Sequence, residues 1–291
     1  MRRILSALAL AWGVGCAPPG SEDGDSAAKV RECGASDARQ MHWVIDSLYF
    51  ARVTDGVSDG FDLDGLASSG TGSDGCGRTD FTSPSGATGI DNAFGEVIPA
   101  LENTEFVGAE ALINATIRTG ELMLLVSMDH VDDATDDDCV ELSLGRAMGE
   151  PMLGTDDSFL AGQTLARDPS FEPAVVTGVS LSDGVAAGGP VSLTLPVQIL
   201  DASLEFEILD GAVRLDQHED GLASGVFAGG LDIANLIALI ANEGIAQELK
   251  DLLANVLYVV ADLAPDESGA CQQVSMTFEY TATPVYLFED E

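Results

Sequence analysis

A mainly β fold is what this sequence predicts: an antiparallel sheet or β-sandwich with a hairpin meander, covered by amphipathic helices. Three observations predict it. From Val175 to Gly229 apolar and polar residues alternate, with Val191, Leu193, Leu195 and Val197 set against Ser192, Thr194, Pro196 and Gln198, then Leu204, Phe206 and Ile208 against Ser203, Glu205 and Glu207. A period of two puts one apolar and one wet face on each strand. Asp-Gly pairs at Asp183-Gly184, Asp210-Gly211 and Asp220-Gly221 fall between such runs, and Asp-Gly takes the positive-φ geometry of tight hairpin turns. Helical spacing is confined to two short regions, which suits helices that cover a sheet face.

In chain order, Met1-Arg2-Arg3 and the apolar run Ile4 to Trp12 make the charged and hydrophobic parts of a bacterial signal peptide, residues 1–15. At about 1.5 Å per helical residue the run is too short to cross a hydrocarbon core of about 30 Å. It ends in Gly13-Val14-Gly15-Cys16, which resembles a lipobox, with Gly13 where leucine is usual. That resemblance implies a lipoprotein, held to the membrane through a lipid on Cys16. Ala17 rather than Asp follows the cysteine, which by resemblance to Gram-negative sorting rules implies the outer membrane. Residues 16–32 carry no periodic apolar pattern and read as a lipidated flexible tether. Residues 33–291 then form a single globular β-rich domain, since no repeat or linker interrupts them.

Within that domain a first strand is expected over Met41 to Val53, followed by an Asp/Gly-rich loop at 55–92. Ala93 to Leu101 and Glu105 to Arg118 have helical spacing and are expected to cap one end of the sheet. Leu122 to Met128 is apolar on both faces, as a central strand is, and Val140 to Leu144 alternates as its neighbour. In the meander Pro196 has no N–H to give a ladder, which marks an edge or a bulge. Asp232 caps a helix with the stripe Ile233, Leu236, Ile237 and Ile240. After Gly244 the phase shifts over Ile245 to Val260, so that helix is kinked or split. Val274, Met276, Phe278 and Tyr280 alternate in a last strand that rejoins the sheet.

Beyond Cys16 the cysteines are Cys33, Cys76, Cys139 and Cys271, and four thiols in an exported chain allow three disulfide pairings. Cys33 with Cys76 and Cys139 with Cys271 is the pairing expected, because the first would bracket the acidic loop and the second would tie the last strand to an earlier one. No CxxC spacing supports zinc. The charge is extreme, 12 basic against 49 acidic residues for a net of -37, which becomes -39 without Arg2 and Arg3. Such a surface repels phosphate backbones, so nucleic acid is excluded as a partner, and self-repulsion creates a need for counter-cations.

Oxygen ligands on glycine hinges suit calcium, and the 55–92 loop supplies Asp59, Asp62, Asp64, Asp80, Asp91 and Asn92 as candidate ligands. Set on an EF-hand register, the loop places Gly60 at the first position and Thr71 at the last, so the first ligand and the bidentate Glu are missing; a looser calcium loop pinned by a disulfide is what remains. Asp129 to Asp138, with His130, reads as a solvated acidic turn; a second calcium ion is the alternative, ahead of a transition-metal site of His130 with those acids, because no second histidine is near in sequence. Gly56-Val57-Ser58-Asp59-Gly60 matches GxSxG, but more Asp-Gly loop follows where a serine hydrolase needs a helix. His42, His130 and His218 are scattered, and no catalytic residue is assigned.

Gly60-Phe-Asp-Leu-Asp-Gly65, Cys76-Gly-Arg-Thr-Asp80, Ser83-Pro-Ser-Gly86 and Gly89-Ile-Asp-Asn92 together resemble a family of uncharacterised bacterial outer-envelope lipoproteins. The resemblance covers about the first hundred residues; it implies a cell-envelope location and no known activity. The expected function is therefore that of a non-enzymatic envelope lipoprotein, calcium-stabilised, acting as a surface structural or binding component with a protein, glycan or apolar ligand. One alternative is a carrier with an apolar ligand among Leu204, Phe206, Leu236, Ile240, Leu253 and Leu257. The other is a hydrolase using acids around Asp62 and Asp80, which requires convergent carboxylates of raised pKa in a cleft.

Overall fold

The computed structural model describes Cys33 and residues 39–71, 74–102, 108–199, 202–242 and 247–288. The signal segment, Cys16 and the tether lie outside these residues. The strands are β1 (Arg39–Phe50), β2 (Phe81–Thr82), β3 (Thr88–Ile90), β4 (Leu124–Val131), β5 (Asp137–Met148), β6 (Gln163–Arg167), β7 (Ala174–Ser182), β8 (Val185–Ile199), β9 (Ala202–Gln217), β10 (Ala223–Asp232), β11 (Leu263–Pro265) and β12 (Cys271–Phe288). The helices are α1 (Ala93–Leu101), α2 (Ala109–Thr119), α3 (Ile233–Asn242) and α4 (Gln247–Val260).

The chain is mainly β and antiparallel, as expected, but the sheet is not a sandwich. Strands β1, β4, β5, β7, β8, β9, β10 and β12 pair in that order, and β12 pairs back onto β1, so eight antiparallel strands close a barrel. Closure turns the apolar faces of the barrel inward on one another, and the separate sheet is the two-stranded pair β2–β3. Register stacks Phe50, Phe278, Phe227 and Val213 at one level and Leu48, Tyr280, Gly225 and Leu215 at the next. The rings of Phe50 and Phe227 lie 4.9 Å on either side of Phe278. Outward positions on β8 and β9 carry Ser192, Thr194, Glu205 and Glu207, the reverse of a membrane-spanning barrel's apolar exterior. Among the described residues no helix is long and apolar enough to cross a membrane.

Two of the three Asp-Gly pairs make the expected hairpin turns, between β7 and β8 and between β9 and β10. Asp210-Gly211 does not. It lies inside β9, where Asp210 has φ 47° and the two residues together face Gly229 of β10, a bulge that bends the long strand. Pro196 sits where β8 is bonded to β9 alone, an edge position, because β7 pairs with β8 only at Leu181 and Ser182.

The helices are fewer and shorter than a cover for a whole sheet. Helix α2 starts at Ala109, with Glu105 outside the described residues, and it seals an edge. β1 leaves β4 after Val44, and the backbone N–H and C=O of Leu48 are taken by Asn114 Oδ1 and Nδ2 at 2.9 and 2.8 Å. Asp232 Oδ1 caps α3 by accepting from Asn235 N–H. The phase shift after α3 corresponds to separate helices α3 and α4, with Gly244 and Ile245 outside the described residues.

Candidate metal centre

The Asp/Gly-rich segment is docked on the outer wall at β9 and β12. One anchor is Asp59, whose two oxygens accept from Arg214 Nη1 and Nη2, each at 3.1 Å; Arg214 projects outward because its neighbours Val213 and Leu215 point into the barrel. Gly60 is a second, since a side chain there would meet Ile90 and the Thr277 hydroxyl of the wall. The third is covalent: Cys76 is joined to Cys271 at the start of β12. Cys33 is joined to Cys139 on β5. The expected pairing of Cys33 with Cys76 and Cys139 with Cys271 is thus corrected. Cys76 lies over the wall beside β12, so its partner is set by docking and not by proximity in sequence.

This docking divides the candidate ligands. Asp62, Asp64 and Asp91 converge, with one carboxylate oxygen of each within 4.8 Å of the others. Oxygens bound at about 2.3–2.6 Å to one calcium are at most about 5 Å apart, so the spacing fits a shared ion. Asp91 is only 2 % exposed. Its Oδ2 accepts from Leu63 N–H at 2.6 Å, while Gly65 N–H and Leu66 N–H hold Asp62 and Asp64, each at 2.8 Å. Asp80, fixed by Ser68 N–H, is close enough to be felt electrostatically by Asp91. Asp59 and Asn92 are elsewhere. Asp59 is engaged by Arg214, and buried Asn92 donates to Ala51 O at 3.1 Å and to Ser58 Oγ at 2.8 Å.

Burial, first, pushes the Asp91 carboxyl up to about 8, with Asp64, Asp262 and Asp80 adding repulsion that the Leu63 N–H only partly offsets. Partial burial also raises Asp64 and Asp80, and each is raised further by Asp62. Asp262 was not among the residues predicted. It is buried behind the cluster, accepts from both the N–H and the hydroxyl of Ser275, and is pushed up to about 6 by burial. Its signal in the sequence is a lone acid in the apolar run Leu257 to Leu263. Ser68 Oγ is a buried hydroxyl without a hydrogen-bond partner, next to the N–H that holds Asp80.

The other motifs have structural roles. Buried Ser58 of the GxSxG match donates to Asp59 O and accepts from Asn92, so it is no exposed nucleophile. In the acidic turn, Asp137 accepts from Asp132, Asp133 and Cys139 N–H, and Asp136 from Asp183 N–H of the neighbouring hairpin. His42 Nδ1 meets Ser127 Oγ at 2.8 Å, but that serine is buried in the wall. Leu236 and Leu257 belong to the hydrophobic core and Phe206 packs against it; the side chains of Leu204, Ile240 and Leu253 lie outside the described residues. A cavity of about 590 Å³ lies elsewhere, between Ser170–Ala174 and the β8–β9 hairpin.

No protein-family model, no curated protein and no solved structure matches this chain.

Proposed function

We propose that this is a non-enzymatic cell-envelope lipoprotein, anchored by lipid on Cys16, whose barrel carries a calcium-stabilised acidic loop and acts as a surface structural or binding component. The observation that supports the calcium reading is the convergence of Asp62, Asp64 and Asp91 with Asp91 buried. Carboxylates gathered without a compensating cation destabilise the fold, and a divalent ion reverses that sign. The export signal, the lipobox resemblance and two disulfides support the envelope location.

The test is calorimetric unfolding of the whole chain in calcium and in chelator. Calcium at 100 times its dissociation constant is expected to add about 2.7 kcal/mol. The Asp91→Asn chain is expected to lose that response. An identical transition in calcium and chelator for the native chain would overturn the reading.

A second reading, an acid-based hydrolase, is favoured by one observation: Asp91, pushed up to about 8, stands beside Asp64 as a proton donor beside another carboxylate would. Under it, Asp91→Asn abolishes turnover of a substrate while the native transition is indifferent to chelator.

A further inference from the structure

We propose that the barrel rests on a zwitterionic phospholipid bilayer through an apolar face formed by Met148, Tyr286 and Phe288, with Met152 and Leu160 at its edge. Beyond Val285, β12 leaves β1 and runs parallel to β6, pairing Tyr286 with Thr164 and Phe288 with Ala166, while Ala166 pairs with Met148 of β5. Directly paired residues share a face. Met148, Tyr286 and Phe288 therefore point the same way, and their exposures are 44, 69 and 62 %. This side of β12 carries Phe278, Tyr280 and Ala282 into the barrel, so Tyr286 and Phe288 continue that apolar face past the barrel's end, while on the other side Leu165 is buried and Leu287 packs against the core. Met152 and Leu160, 53 and 44 % exposed, are joined by a backbone hydrogen bond and both bond to Gln163 at the start of β6. Apolar side chains of this size exposed together mark a contact surface.

The chain itself argues for a bilayer as the occupant, and here the proposal rests on the lipid-anchor reading. Cys33 is fixed to Cys139 near the start of β5, and Met148 ends that strand, about 30 Å away at about 3.3 Å per residue. The segment from Cys16 to Cys33, fully extended, reaches up to about 60 Å. A lipid on Cys16 can thus be inserted while the Met148 face touches the same membrane. Tethering makes that contact intramolecular, so a weak face is sufficient. Tyrosine, with an apolar ring and a polar hydroxyl, suits the headgroup boundary. Glu289, Asp290 and Glu291 follow Phe288 in a chain whose net charge is -37, and that charge repels anionic headgroups.

Mass spectrometry of the N-terminal peptide first decides whether Cys16 is lipidated, independently of the face. Hydroxyl-radical footprinting of the purified chain is then compared with and without phosphatidylcholine vesicles. Labelling of Met148, Met152, Tyr286 and Phe288 is expected to slow several-fold with vesicles, with Tyr258 on α4 unchanged and less protection on phosphatidylglycerol. Replacing Tyr286→Ser and Phe288→Ser together is expected to remove the protection of the two methionines with the melting transition retained. Equal labelling with and without vesicles overturns the proposal. So does protection without vesicles: if it grows with protein concentration the face meets a second copy, and if it does not, the face is covered by its own chain.

Discussion

Asp91 couples proton binding to stability. Its carboxyl is held up to about 8 in the folded chain against 3.8 unfolded, so the folded state binds more protons across that interval and stability falls as pH rises through it. Asp262, up to about 6, acts in the same direction over the lower part of the window. In chelator the unfolding midpoint is expected to drop from pH 5 to pH 8, and in saturating calcium the drop is expected to disappear, because the ion holds the charged form. Differential scanning calorimetry at fixed ionic strength reads both; a midpoint that rises with pH in chelator would contradict the assignment. Gly225 is a second sensitive position. A β-carbon there would strike Arg214 O and the Tyr280 hydroxyl, which are themselves hydrogen-bonded at 2.7 Å, so Gly225→Ala is expected to cost about 1–3 kcal/mol in denaturant unfolding. At this scale the sequence was half legible. The alternation Asp62, Asp64 announced two members of the convergent acidic cluster because they are neighbours in one loop. Asp59 carries the same local signature but is claimed by Arg214, 155 residues away, and spacing along a chain does not report such partners.

At the level of elements, α2 stands in for a missing strand. Asn114 is 4 % exposed and mimics a ladder residue toward Leu48. Asn114→Ala would leave a buried N–H and C=O unpaired, an expected loss of about 2–4 kcal/mol by urea unfolding, well above an ordinary surface substitution. The Cys76–Cys271 bond joins the acidic loop to β12 across 195 residues. Replacing both by Ser is expected to lower stability by about 2–5 kcal/mol and to weaken calcium affinity by isothermal titration, since the loop that presents Asp62 and Asp64 is then held by noncovalent contacts alone. Strand existence and hairpins were legible because period two and Asp-Gly turns are local. Asp210-Gly211 misled for a physical reason: a bulge and a hairpin turn ask the same positive φ of the same residues.

For the whole molecule, closure was the part the sequence did not disclose. Alternation requires that one face be buried, and a sandwich and a barrel satisfy it equally; the difference rests on β12 reaching β1, a pairing such as Trp43 with Pro284 that no local pattern encodes. The charge acts at this scale too. With a net of -37, sodium chloride raised from about 10 to 500 mM shortens the screening length from about 30 Å to a few ångströms, and the midpoint in chelator is expected to rise with it. Insensitivity to salt would mean that the surface acids are already neutralised. The pairing of the first barrel strand with the last also gives the chain a direction in time. A chain that emerges from its N-terminus presents β1 first and β12 last among the described strands, so the barrel interior stays open to water until β12 has emerged. Emergence of β12, rather than of any earlier strand, is then the step that removes the apolar inner faces from water and from aggregation.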